Sequence, residues 1–142
     1  SGATKPVLGR GTAFADLDND GDLDVVVACL DGTPLVLRND TAGGHWLQVR
    51  AVGRKSNRDG VGAKVTVRAA GLTQLREVKR TLSVYSASDP RAHFGLGPAT
   101  RADLVRVEWP SGRVDEWKDV PANRHYRVDE AEGLREEPPR RR

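Results

Sequence analysis

The chain has 142 residues, 37% of them hydrophobic and 30% charged, which fits one ordinary globular domain, or a small domain with an appendage. No apolar run approaches the ~20 residues of a membrane-spanning helix, and the single cysteine, Cys29, excludes an internal disulfide framework. Net charge is +3, much of it in Arg140-Arg141-Arg142, and basic residues do not interleave with aromatics, so nucleic acid is not an expected partner.

The chain opens on Ser1-Gly2-Ala3 without a signal-peptide pattern, which leaves export open. An acidic stretch follows, from Asp16 to Asp24. Val25 to Leu30 is then a short apolar run that predicts a buried strand, with Cys29 as a structural thiol inside it. Asp31-Gly32-Thr33-Pro34 predicts a hairpin-type turn, and Leu35 to Leu37 a returning strand. A boundary falls at residues 39–44, a turn-rich linker.

Beyond it, Trp46 to Val52 reads as a strand. In Ala63 to Ala69, Val65 and Val67 alternate with Lys64, Thr66 and Arg68, so one face is buried and one wet. Ala70-Gly71 is a turn leading to a partner strand, Leu75 to Arg80. Leu104 to Trp109 places Val105, Val107 and Trp109 on one face and Arg106 and Glu108 on the other. After Pro110-Ser111-Gly112, Val114 to Trp117 returns. His125 to Val128 is a last short strand with Tyr126 and Val128 inward. Residues 131–142 are polar and predict a disordered tail. The expected class is all-β: a hairpin unit over residues 1–40, then a sandwich or barrel-like domain over 45–130.

The acidic stretch carries the sharpest chemistry. Aspartates occupy alternate positions: Asp16, Asp18, Asp20, Asp22 and Asp24. In a tight turn they repel one another unless a cation joins them. Calcium takes roughly 6–8 oxygen ligands, and carboxylates at loop positions one, three and five wrap it. Asp16, Asp18 and Asp20 hold those positions, with Gly21 at the sharp bend. Asp22 then offers its backbone carbonyl. Asp24 closes the shell directly or through water. The loop is not an EF-hand. Its twelfth position is Val27 rather than a bidentate Glu, and β-branched residues follow instead of a helix. Calcium is the expected cofactor, in a loop between strands.

At these residues the chain resembles an FG-GAP or VCBS-type repeat, one blade of a β-propeller. Gly11-Thr12-Ala13-Phe14-Ala15-Asp16 and the following DNDGDLDVVVA carry the match, over about residues 9 to 39. The resemblance implies a calcium loop in an extracellular protein. The remainder resembles the ASPIC/UnbV domain. His45-Trp46-Leu47, Lys55 to Ala63, His93 to Gly97, Trp109-Pro110-Ser111-Gly112 and Val120-Pro121-Ala122-Asn123 carry that likeness as an ordered set. It implies a secreted or cell-surface setting and no defined activity. Members of that family usually carry several repeats ahead of the domain, whereas one is present here. A lone blade cannot bury both faces of its sheet. The expectation is a piece of a longer protein, or a blade that docks on its own second domain or on another copy of the chain.

Other constellations are weaker. Asn57 and Asp59 form a polar turn that could hold a cation, though Asn and Asp commonly satisfy their own backbone in turns. His45, His93 and His125 lack metal-ligand spacing. Ser83, Ser86 and Ser88 show no nucleophile-elbow pattern. Asp103, Glu108, Asp115 and Glu116 read as a solvated face rather than a catalytic pair. Trp46 and Trp117 are candidates for a sugar-stacking surface. No catalytic residue is expected. The functional expectation is an extracellular, calcium-stabilised, non-catalytic binding or adhesion module for protein or glycan. The alternatives are a self-assembling structural subunit, and a protein that binds or acts on polysaccharide.

Overall fold

The period-two pattern is realised as strands. The computed structural model describes residues 6–41, 43–81 and 86–138, and among them it contains eleven strands and no helix. The all-β class is therefore correct. The chain divides into two units, residues 1–42 with 80–89, and residues 43–79 with 90–142.

The first unit holds β1 (Gly9–Ala15), β2 (Asp24–Cys29) and β3 (Leu35–Leu37) in one antiparallel sheet, ordered β1-β2-β3. Val25, Val26 and Val27 suit a pleated strand because their branched side chains restrict the backbone to extended forms. Phe14 faces Val25 across the ladder, and Val25 faces Leu37. Ser88 and Asp89 border β1. The Phe14 amide donates to Ser88 Oγ at 3.2 Å, and the Asp89 amide donates to the Phe14 carbonyl at 3.1 Å. No apolar side chain of this unit is fully buried among the described residues. Phe14 is 44% exposed and Val36 56%. Cys29 is half-buried rather than the enclosed core thiol expected.

The second unit is a sandwich. Its first sheet holds β4 (His45–Val52), β7 (Ala92–Gly97), β10 (Arg124–Asp129) and β11 (Gly133–Glu136), ordered β11-β10-β4-β7. Its second holds β5 (Lys64–Ala69), β6 (Leu72–Glu77), β8 (Arg101–Glu108) and β9 (Val114–Pro121), ordered β6-β5-β8-β9. All pairings are antiparallel except β4 with β10, which the chain joins only after passing through the other sheet. Leu47 and Val49 of β4, Phe94 of β7 and Val128 of β10 meet Val65 of β5 and Val107 of β8 in one core. Each such side chain contributes about 1.5–3 kcal/mol by leaving water. Val105, Val107 and Trp109 point inward as expected, and so do Tyr126 and Val128. Trp109 satisfies its indole N–H on Asp115 Oδ2 at 2.9 Å.

Three strands depart from expectation. The second strand of the β5 hairpin starts at Leu72, three residues earlier than read, because Ala70 and Gly71 both adopt positive φ (48° and 76°). That is the geometry of a two-residue hairpin turn, so pairing resumes at once. The β7 strand falls on the His93-to-Gly97 motif, where no strand was expected, and its alternate residues Ala92, Phe94 and Leu96 are buried. The tail expected to be disordered begins with β11, where Leu134 faces Val128 of β10. One apolar residue in four gives no periodic signal, and β10 supplies the template.

Candidate metal centre

The acidic loop joins β1 to β2 in the first unit. Backbone sterics explain its shape. Gly21 has φ +100° and Asn19 φ 63°, so the chain reverses at residues that tolerate the left-handed region. The aspartates then brace the turn through its amides. Asp16 Oδ2 accepts the Gly21 N–H at 3.2 Å, and Asp20 Oδ1 accepts the Asp22 N–H at 2.9 Å. Such bonds hold the loop closed without a regular ladder.

The structure brings three of the five aspartates together. One carboxylate oxygen from each of Asp16, Asp18 and Asp20 lies within 4.8 Å of the other two. Asp16 is buried, whereas Asp18 and Asp20 are exposed. Three converging carboxylates are hard oxygen donors of the kind calcium takes, so the donor chemistry fits that ion. Asp24 has a different local task. It is buried at the start of β2, its Oδ2 accepts the Leu17 N–H at 2.9 Å, and its Oδ1 accepts the Asn39 N–H at 2.8 Å. It ties the loop to the segment after β3. Asp22 lies outside the three-carboxylate group, with its amide on Asp20. A cation already stands nearby: Arg38 Nε is 3.3 Å from Asp18 Oδ2 and 2.5 Å from Asp40 Oδ1. The Asp40 hydrogen bond and charge, with the Asp18 charge added, hold the guanidinium still more firmly protonated.

A second acidic pair lies in the second unit, and sequence reasoning missed it. Asp129 ends β10 and Glu130 follows; both are buried. Glu130 Oε2 accepts three consecutive amides, Arg54 (2.6 Å), Lys55 (2.8 Å) and Ser56 (2.8 Å). Its Oε1 accepts the hydroxyls of Ser56 (2.9 Å) and Ser111 (2.5 Å). Burial is the strongest single influence on this carboxyl and raises its pKa. The Ser111 hydroxyl and the Ser56 and Arg54 amides together overcome it and hold the pKa at about 2. Asp129 is held well below the usual carboxylate range by its two-pronged hydrogen bond with Arg54, against the upward push of burial. These carboxylates are structural ties, because their oxygens are saturated by donors. An Asp-Glu pair at a strand end carries no sequence signal for this, since most of the donors come from Arg54, Lys55 and Ser56, more than seventy positions away.

The weaker candidates resolve locally. Asn57 Oδ1 accepts the Asp59 N–H at 2.9 Å, an Asx turn, and both residues are exposed. Trp46 stacks on His93, with centroids 6.4 Å apart, and tilts against His125 at 4.9 Å. His45 pairs with Asn123 instead. Among the described residues the histidines form no metal-holding group. Glu108 and Glu116 lie on the solvated face of the second sheet, each paired with Arg106. Ser83 and the Arg140–Arg142 run lie outside the described residues.

The loops that Glu130 ties together hold the Lys55-to-Ala63 and Trp109-to-Gly112 motifs, in the order and spacing read from the sequence. Residues 53–135 match the family described as ASPIC and UnbV. The chain belongs to that family. No curated protein matches the chain. The ASPIC and UnbV match spans β5 to β10 and most of β11 but starts after β4, so the domain gains its central parallel strand from residues just ahead of the match.

Proposed function

We propose that the chain is an extracellular, non-catalytic binding module whose first unit is an FG-GAP/VCBS-type blade braced by calcium. The observation that carries this is the convergence of Asp16, Asp18 and Asp20 at the turn between two antiparallel strands. Calcium would take those carboxylates and the Asp22 carbonyl, with Asp24 holding the loop to the residues after β3. The ion neutralises mutual repulsion and stiffens the β1–β2 connection. Its role is then structural, and the braced surface holds the protein or glycan ligand.

Isothermal titration with calcium tests this. At a hundred times Kd, calcium should stabilise the first unit by about 2.7 kcal/mol. Asp18→Ala and Asp20→Ala should each weaken binding about tenfold or more. Absence of binding heat together with an unchanged melting temperature would sink the proposal.

A second reading, calcium-dependent self-association, rests on a separate observation. The sheet of the first unit leaves Phe14, Leu30 and Val36 substantially exposed, and an isolated sheet with two apolar faces gains by stacking. Light scattering with calcium and then with chelator decides it. A monomer under both conditions rejects assembly.

A further inference from the structure

Charge is unevenly placed along the chain. Residues 43–79 hold eight Lys or Arg against two Asp or Glu. Three of the eight, Arg54, Lys55 and Arg58, occupy one tight loop after β4. Its backbone is fixed at nearly every step. The Gly53 amide donates to the Arg58 carbonyl, the next three amides to Glu130, the Asp59 amide to Asn57 Oδ1 and the Gly60 amide to the Asn57 carbonyl. The Ser111 amide donates to Ser56 Oγ at 3.2 Å, so the 110–113 turn is pinned beside it.

The side chains this loop turns outward are charged or polar. Arg54, Lys55, Asn57, Arg58 and Asp59 are all exposed. Arg54 is committed to Asp129. Lys55 and Arg58 make no ion pair among the described residues. Two cations on a pre-ordered loop lose little freedom on meeting an anion, which favours recognition.

We infer that the Arg54–Asp59 loop is a contact site for an acidic polysaccharide, with Lys55 and Arg58 meeting its carboxylate or sulfate groups. The surface chemistry selects this partner. The loop exposes no aromatic ring to stack a base and no aliphatic wedge to enter a bilayer. Asn57 adds an amide suited to sugar hydroxyls. The inference rests on the binding-module reading and not on the calcium loop.

The test measures binding of the full chain to polygalacturonate and to dextran sulfate, with uncharged dextran as control. Salt-sensitive binding to at least one polyanion is expected, and the two arms tell carboxylate from sulfate. Lys55→Glu combined with Arg58→Glu should weaken it about tenfold or more without lowering Tm, because the backbone and not these side chains anchors the loop. The charge-matched pair Arg68→Glu with Lys118→Glu, on the outer face of the second sheet, should weaken it far less. Binding should persist in chelator, which separates this result from failure of the calcium proposal. Equal losses in both double variants, no binding to either polyanion, or equal binding to uncharged dextran would overturn the inference.

Discussion

Replacing Glu130 by alanine should lower the stability of the ASPIC and UnbV domain by about 3–5 kcal/mol in urea denaturation. The substitution strands three amides and two hydroxyls that now converge on one buried carboxylate, and each unsatisfied buried donor costs about 1–3 kcal/mol when water cannot replace its partner. Partial rehydration of the loop keeps the total below their sum. Glu130→Gln retains one acceptor oxygen and should lose less. The two variants also separate charge from geometry through pH. With its folded pKa near 2 and an unfolded value near 4.5, Glu130 contributes stability that is complete above about pH 4.5. That contribution falls away as pH drops toward 2. Asp129 is shifted in the same direction and adds to the slope. The wild type should therefore lose stability steeply across this window, and Glu130→Gln should flatten the curve. An equally steep curve in the glutamine variant would contradict the role given to this carboxylate.

Gly60→Ala should cost about 2–5 kcal/mol. Gly60 has φ +66°, and a Cβ placed there lies 2.5 Å from the Ala51 Cβ and 2.8 Å from the Ala51 carbonyl oxygen. The left-handed backbone alone costs an alanine roughly 1–2 kcal/mol, and overpacking adds about 1–3 kcal/mol. Gly112→Ala provides the comparison. Gly112 also has positive φ, at +86°, but its Cβ would meet nothing within 4 Å. Its loss should stay near the backbone term. Equal losses at the two positions, measured by thermal unfolding, would show that the contact with Ala51 contributes nothing.

Both positions lie in stretches whose chemistry the sequence only partly displays. Gly60 sits in a motif visible to the eye, and a turn at Asn57-Arg58-Asp59-Gly60 was legible from residue types alone. What makes that glycine indispensable is Ala51, nine positions earlier on β4. Glu130 was read only as the last residue of the 45–130 domain, because most of its donors belong to a loop over seventy residues away.

The acidic loop shows the same division at close range. Alternating aspartates with glycine at the sixth position already single out the turn whose carboxylates converge, since spacing along the chain controls which of them can meet. The structure then separates them by task. Asp16, Asp18 and Asp20 meet in space, while Asp24 turns both oxygens onto the Leu17 and Asn39 amides. The second of these contacts spans fifteen residues and depends on β3 returning beside β2.

Local periodicity, turn residues and motif spacing thus determined the all-β class, most strands, the inward valines and the five candidate aspartates, because each is a property of neighbours along the chain. Tertiary structure alone decided the parallel pairing of β4 with β10, the recruitment of β11 and the burial of Asp129 and Glu130, because those depend on groups that only folding brings within hydrogen-bond reach.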